Sequence, residues 1–212
     1  QGFGSAPYGG GRLNLLRGAA GLPRRPSPRP CLDPENIEAM NFVGHLEYLF
    51  GNLTAAEDAF HQVLDLGRTR DDQRAIAVAY GNLGNIAMTR GGLEEAVDCF
   101  TQGLALDEEL GRKAGMATQY GNLGVVATER DDLEMAVDYH TQTLFLIKEL
   151  RSKEGMALSY ANLGGVAFTR GDLLEARQFW AQAQGLHAEI GVQPMVAQFD
   201  QLLADLEPPG EP

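Results

Sequence analysis

The chain has 212 residues, of which 44% are hydrophobic and 22% charged, and this composition is typical of a globular protein with a buried core. A formal net charge of -12 argues against nucleic-acid binding, because that binding needs Lys and Arg to neutralise phosphates. No apolar run approaches the length of a spanning helix, and two cysteines are too few for a disulfide scaffold, so the sequence excludes membrane insertion and a disulfide-rich fold.

Residues 1–33 are predicted to form a tail rich in Gly, Pro and Arg. The stretch 1–32 holds five arginines and no acid, whereas the rest of the chain has a net charge of -17. Glycine and proline clusters without a periodic apolar face indicate an extended tail or tether. We expect residues 1–30 to lie against the acidic remainder of the same or a neighbouring chain, anchored by Phe3, Tyr8 and Leu13 to Leu16.

The same segment leaves the compartment open. Its arginines and its lack of acids resemble an organelle transit peptide, and the stretch from Arg24 to Pro28 is a short pattern that a kinase or a proline-reading domain could bind. A plain tether is the simpler interpretation, because such short patterns recur by chance. We therefore expect a cytoplasmic protein, with the periplasm or an organelle as the alternative after N-terminal processing.

From residue 34 to residue 207 the sequence predicts a helical domain. No proline occurs between Pro34 and Pro194, and a proline inside a helix removes a backbone donor and clashes with the preceding turn. Asp33 is the predicted cap of the first helix, with Pro34 in its first turn. The predicted helix pairs are 34–49 with 53–67, 73–89 with 93–110, 113–129 with 133–150, and 153–169 with 173–189, followed by a capping helix at 194–207 and a short tail at 208–212.

The sequence of this region realigns with itself at a period of 40, which divides it into four units, 41–80, 81–120, 121–160 and 161–200. The second and third units are identical at 22 of 40 positions, and both begin with Gly-Asn-Leu-Gly. Each unit shows helical apolar spacing twice with a break between, so each is predicted to be a helical hairpin, and such self-similarity is typical of a solenoid. Residues that recur in register are Gly44, Gly84, Gly124 and Gly164; Leu53, Leu93, Leu133 and Leu173; and Ala56, Ala96, Ala136 and Ala176.

These units resemble the tetratricopeptide repeat (TPR), which pairs a large residue, Leu-Gly and a small residue on helix A with Ala and an aromatic residue on helix B. The glycine and alanine positions mark where the two helices cross, because a larger side chain would hold them apart. The matching residues are Tyr80, Leu83, Gly84, Ala87, Ala96 and Phe100 in the second unit; Tyr120, Leu123, Gly124, Ala127, Ala136 and His140 in the third; Tyr160, Leu163, Gly164, Ala167, Ala176 and Trp180 in the fourth; and, more loosely, Met40, Val43, Gly44, Ala56 and Phe60 in the first.

The long period and the lack of a proline after helix B are similar to kinesin light chains and the related polarity scaffolds. The resemblance implies an all-α fold, a right-handed TPR superhelix (α-solenoid) of four helical hairpins plus a C-terminal capping helix. It also implies that helix A of each unit lines a concave groove. In those relatives, asparagines one position before the repeated Leu hold the backbone of a bound peptide.

Asn82, Asn122 and Asn162 occupy that position in this chain. Asparagine suits the task because its side chain both donates and accepts hydrogen bonds, and its recurrence inside helices that disfavour it asks for a reason. Hydrogen bonding between neighbouring repeats is the alternative reason. The predicted groove lacks a Lys and Arg clamp for a terminal carboxylate, so an extended or helical peptide with apolar anchors is the expected ligand. The other candidate groove residues are Asn85, Met88, Val125, Thr128, Glu129 and Phe168.

No catalytic or metal-binding pattern is visible. The four histidines lie in different units without the spacing of a zinc site, and His140 is predicted to be packed in the core. The Gly-Asn-Leu-Gly segments lie inside helix A and follow no strand, so they cannot cradle a phosphate. Acid clusters such as Asp107-Glu108-Glu109 are predicted to be solvated helix faces.

We therefore expect no enzyme, no cofactor and no metal. Two functions remain. The first is an adaptor or scaffold that binds a peptide or helical segment of another protein in the groove. The second is a self-associating solenoid, an oligomer in which residues 1–30 dock on their own or a neighbouring subunit.

Overall fold

The computed structural model describes residues 36–206, and the predictions made for residues 1–35 and 207–212 lie outside this range. Within it, short turns connect nine α-helices, and no strand occurs. The helices are α1 (Ile37–Leu49), α2 (Leu53–Thr69), α3 (Gln73–Thr89), α4 (Leu93–Glu109), α5 (Lys113–Glu129), α6 (Leu133–Glu149), α7 (Lys153–Arg170), α8 (Leu173–Glu189) and α9 (Gln193–Asp205).

The start of the first helix differs from the prediction. Asp33 was expected to cap it, but α1 begins at Ile37, and Asn36 is its N-cap. The Asn36 side chain accepts a hydrogen bond from the Ala39 backbone N–H at 3.0 Å, which satisfies one of the free donors of the first turn. Both Asp and Asn cap helices well, and the sequence alone does not rank two such residues three positions apart.

The turns recur at regular intervals, twice in every repeat. A residue with positive φ comes just after each helix from α1 to α8, at residues 51, 71, 91, 111, 131, 151, 171 and 191. Five of these residues are glycines, which adopt this conformation without strain, while Asp71, Asp131 and Arg151 adopt it as well. Several following helices are then capped by a side chain; Asp72, for example, accepts from the Ala75 backbone N–H at 3.0 Å. Helix ends are therefore set by local chemistry.

The described residues form two compact units, 36–122 and 123–206, which we call the N-terminal and C-terminal units. In the N-terminal unit, a core of small and branched side chains packs between α1, α2 and α3, with Phe60 and Ile86 almost fully buried. In the C-terminal unit, Trp180 of α8 and Phe199 of α9 belong to one core cluster and are both buried. Helix α9 thus covers the last hairpin with an apolar face.

In each hairpin, a glycine of helix A packs against a ring of helix B. A Cβ added at Gly44, Gly84 or Gly124 would lie 2.5 Å from the ring of the partner helix, far inside van der Waals contact. The rings are those of Phe60, Phe100 and His140. This confirms that helices A and B cross at the repeated glycine.

Candidate functional site

The structure places all nine candidate site residues on A helices, which are α1, α3, α5 and α7. In the N-terminal unit they are Asn82, Asn85 and Met88 on α3 and Asn122 on α5. In the C-terminal unit they are Val125, Thr128 and Glu129 on α5 and Asn162 and Phe168 on α7.

The side chain of Asn82 is hydrogen-bonded to the neighbouring repeat. Its side chain is buried, and its Nδ2 donates a hydrogen bond to Asn41 Oδ1 at 2.9 Å. Two turns further along the same two helices, the Tyr48 hydroxyl and the Thr89 hydroxyl form a second hydrogen bond of 2.9 Å. These two bonds join α1 to α3. At this junction the asparagine therefore has the alternative role, that of joining neighbouring repeats.

The sequence analysis missed Asn41, Tyr48 and Thr89. The available signal was two polar pairs, each separated by 41 residues and placed two turns apart on the A helices. That signal is weak, because Asn41 lies in the loosest of the four repeats. Only the structure shows that the side chains of each pair are hydrogen-bonded.

Asn122 occupies the same register one repeat later, but its environment differs. Its Nδ2 is buried, and no atom of the described residues accepts a hydrogen bond from it. The residue equivalent to Asn41 is here Gly81, which has no side chain to offer. A buried donor without an acceptor costs about 1–3 kcal/mol, so Asn122 is a destabilising choice for the isolated chain.

Most of the remaining candidate residues are apolar or uncharged. The Thr128 hydroxyl donates to the carbonyl of Gly124 on its own helix at 2.9 Å, so its hydrogen-bonding capacity is largely used. Phe168 is partly exposed, and its ring packs 5.5 Å from the Trp180 ring, which fixes its position. Met88 and Val125 are half-buried, and Glu129 is exposed.

Comparison with known families decides the identity of the fold. Residues 33–202 match the family model of the MalT-like TPR region. The chain belongs to this TPR family. Its described helices form hairpins of the all-α repeat type, as the sequence predicts, and the TPR fold is a protein-interaction module. No curated protein matches the sequence significantly.

Solved structures confirm the TPR fold at low sequence identity. BtubC (BKLC) from P. vanneervenii is 22% identical with a TM-score of 0.67, and the match covers 84% of this chain and 72% of that one. The nearly identical TPR-like repeats of a P. anserina protein described as a kinesin light chain are 16% identical with a TM-score of 0.67, covering 84% and 87%. A Rap protein in complex with competence and sporulation factor is 17% identical with a TM-score of 0.68, and the match covers 80% of this chain but 48% of the Rap protein.

The ionisable groups of the TPR domain are dispersed or paired. His140 is buried on α6, and burial lowers its pKa to about 4, so it is a neutral core residue as expected. Burial also lowers the pKa of His45 and of His187, which lie beside Phe60 and Phe199. In the described part of the chain, no three His, Cys, Asp or Glu residues are grouped as metal ligands would be.

One acid contradicts its prediction. Asp107 was expected on a solvated helix face, but its side chain is almost fully buried at the contact of α4 with α5. Arg112 Nη1 lies 2.8 Å from Asp107 Oδ1, and the Gln119 side chain donates to the same carboxylate. Burial raises the pKa of Asp107, and the pairing with Arg112 and Gln119 opposes that rise. This network joins two repeats and is structural.

No helix in the described range 36–206 combines the length and apolarity that crossing a membrane requires.

Proposed function

We propose that this TPR chain is a non-catalytic adaptor that binds a peptide or helical segment of another protein along its A helices. The observation that carries the proposal is the unsatisfied buried amide of Asn122 opposite Gly81. A polar group without a partner is rare in native proteins and is commonly explained by a ligand or water that the isolated chain lacks.

The local chemistry suits a peptide backbone. Gly81 lacks the side chain that pairs with Asn at the preceding junction, and the buried side chain of Gln119 lies against Gly81 instead. In this proposal the unsatisfied Nδ2 of Asn122 donates to a carbonyl of the bound peptide, and its own oxygen accepts from a peptide N–H. In this proposal Asn122 and Asn162 bind the peptide backbone, while Asn82 positions α3 through Asn41.

The apolar candidates define the class of ligand. Met88 of the N-terminal unit and Val125 and Phe168 of the C-terminal unit offer surface for apolar anchor residues. None of the nine candidate residues is basic, so a free terminal carboxylate is not the feature recognised. A segment with apolar side chains suits the A-helix surface of either unit, in extended or helical form.

A non-catalytic role is supported by the state of the groups that could act as acid or base. His140 is buried and neutral over the physiological range, and Asp107 is buried in an ion pair with Arg112. The fold also favours this reading, because the Rap protein of similar fold is seen with a bound factor.

The test is a selection of ligands by the intact chain. A library of random dodecapeptides is displayed and panned against the full protein, and the enriched peptide is labelled and titrated by fluorescence anisotropy. Simultaneous substitution of Asn82, Asn122 and Asn162 by Ala is expected to abolish binding while the far-UV circular dichroism stays helical. Gln102→Ala on α4 is the matched control, since it removes an exposed amide from a B helix of the N-terminal unit. Failure to enrich any peptide, or equal binding by the triple variant, contradicts the proposal.

A further inference from the structure

Helix α1 exposes an apolar face. Phe42, Leu49 and Phe50 are 61%, 58% and 60% exposed, and Leu46 is 37% exposed. Positions 42, 46, 49 and 50 lie on one side of a helix, because residues three, four and seven apart are neighbours on its surface. Four large apolar side chains therefore form one patch, which we call the α1 face.

The repeat register shows that part of this face corresponds to interior positions. Phe42 is equivalent to Asn82, which is buried and bonded to Asn41, whereas Phe50 is equivalent to the exposed Arg90. The residues equivalent to Leu46 in the later A helices are Ile86, Val126 and Val166, and they are 1%, 1% and 2% exposed. Ile86 belongs to the core that includes Phe60 and Val63 of α2, the preceding B helix. Terminal repeats of a solenoid normally present a polar outer side, but the α1 face remains apolar. Leu46 therefore lies at a position that a preceding B helix covers in the later repeats.

The chain carries a suitable segment one period earlier. The loops before α2, α4 and α8 read Gly-x-Leu at Gly51, Gly91 and Gly171, and Gly11-Arg12-Leu13 stands one full repeat before the first of them. Leu15, Leu16 and Leu22 follow. The segment 11–22 thus keeps the register of the beginning of a B helix and supplies four leucines. It departs from the repeat at Leu16, where the later B helices have Ala, and it is cut short by Pro23.

The connection is long enough. Residues 23–35 separate this segment from Asn36, and a proline-rich stretch extends by about 3.1 Å per residue, which gives a reach of about 40 Å. A helix of the length of α1 spans about 20 Å, so every part of the α1 face is within reach. The charges also match, since the segment has Arg12 and Arg17 and no acid, while α1 has Glu38 and Glu47 and neither Lys nor Arg.

We propose that residues 11–22 dock on the α1 face of the same chain, in the position that the preceding B helix occupies beside each later A helix. The occupant is intramolecular because the tether keeps the segment at an effective concentration of about millimolar, well above that of a second copy in dilute solution.

Hydrogen exchange of the full chain, followed by mass spectrometry, tests the proposal. Amides of residues 12–22 are expected to exchange at least about tenfold more slowly than in a synthetic peptide of the same sequence, because docked leucines hold the backbone. Phe42→Glu should abolish this protection, since it puts a charge into the contact. Leu174→Glu, at a position 72% exposed on α8, is the matched control and should leave the protection unchanged.

A second variant, in the segment itself, distinguishes loss of docking from a folding defect that Phe42→Glu could cause in α1. The double variant Leu15→Glu with Leu16→Glu changes no residue of the range 36–206. It should abolish protection of the segment while α2 and α3 exchange as before. Exchange of residues 12–22 at the free-peptide rate in the unmodified chain overturns the proposal. Protection that persists in Phe42→Glu also overturns it. Protection that rises with protein concentration together with a dimer in light scattering overturns it as well, and assigns the α1 face to a second copy.

Discussion

Among the described residues, each unit fully buries one ionisable side chain, Asp107 in the N-terminal unit and His140 in the C-terminal unit. The carboxylate of Asp107 is paired with Arg112 and receives a hydrogen bond from Gln119. No atom of the residues 36–206 pairs with His140 Nδ1. One unit therefore partly offsets the burial of its ionisable group by pairing, while the other keeps the group neutral.

The repeat register explains why both are tolerated. The residue equivalent to Asp107 in the next repeat is Ile147, and the residues equivalent to His140 are Phe60, Phe100 and Trp180. In both places a polar side chain stands where another repeat has an apolar one. A facing glycine, Gly115 for Asp107 and Gly124 for His140, gives each the room it needs. The repeat thus fixes where a buried side chain lies, whereas that side chain can be polar in one repeat and apolar in another.

The two groups respond to pH in opposite directions. The pKa of His140 is lower in the folded chain than in the unfolded chain, so the unfolded state binds a proton first as the pH falls, and stability is lost below about pH 6.5. The pKa of Asp107 is raised, so the folded state keeps its proton longer as the pH rises, and its burial penalises stability above the usual carboxyl pKa.

The largest expected effect comes from removing the partner of Asp107. Arg112→Met leaves a carboxylate buried without a counter-charge, and the free energy of unfolding should fall by about 3–5 kcal/mol at pH 7, as measured by urea denaturation. The loss should shrink at lower pH, where Asp107 becomes neutral. The double change Asp107→Ile with Arg112→Met copies the apolar side chain of Ile147 and should recover most of the stability. A single variant as stable as the unmodified chain would show that the pair compensates nothing.

His140 should dominate the acid sensitivity of the C-terminal unit. A fall in its pKa from 6.5 to about 4 corresponds to a loss of about 3 kcal/mol between pH 7 and pH 4. His140→Phe should remove that part of the pH dependence, because the ring of Phe60 or Phe100 fits against glycine in the same way. The measurement is a series of thermal or urea unfolding curves over that pH range. Identical pH profiles for the two proteins would contradict the assignment.

The glycine that faces His140 offers a smaller test of the same contact. Gly124→Ala should destabilise the chain by about 1–3 kcal/mol, because the added methyl meets the buried ring. Gly185 is the matched control, since it also lies within a helix of the C-terminal unit and a Cβ there meets nothing within 4 Å. Gly185→Ala should instead stabilise by about 0.5–1 kcal/mol through helix propensity. Equal changes in melting temperature would mean that the ring contact carries no energy.

The sequence predicts most helix limits closely, because turns recur twice in every repeat and depend on local Gly, Asp and capping side chains. It places the start of α1 wrongly, since Asp33 and Asn36 are equivalent as caps until the chain is folded. It also predicts Asp107 to be exposed, because an acid in a run of three acids carries no sign of the Arg112 and Gln119 that surround it.

The candidate site, too, is only partly predictable from the sequence. The period places asparagines at one register on the A helices, but it does not reveal which of them has a partner. That depends on whether the residue 41 positions earlier is Asn41 or Gly81.

The smallest stability effects separate the two asparagines. Asn82→Ala removes a hydrogen bond to Asn41 and should lower the free energy of unfolding by about 1 kcal/mol. Asn122→Ala removes an amide that has no partner among the described residues, so the same urea measurement should show no loss of stability or a slight gain. Equal losses for both variants would show that Asn122 is structural after all.

The most direct test of the central claim is the affinity of the Asn122→Ala variant for the display-selected peptide, measured by fluorescence anisotropy beside Gln102→Ala. If Asn122 binds the peptide backbone, the Kd should rise by about tenfold, the loss expected for one or two amide hydrogen bonds, while the melting temperature does not fall. A Kd equal to that of the unmodified chain and of Gln102→Ala would contradict peptide binding through the A-helix asparagines.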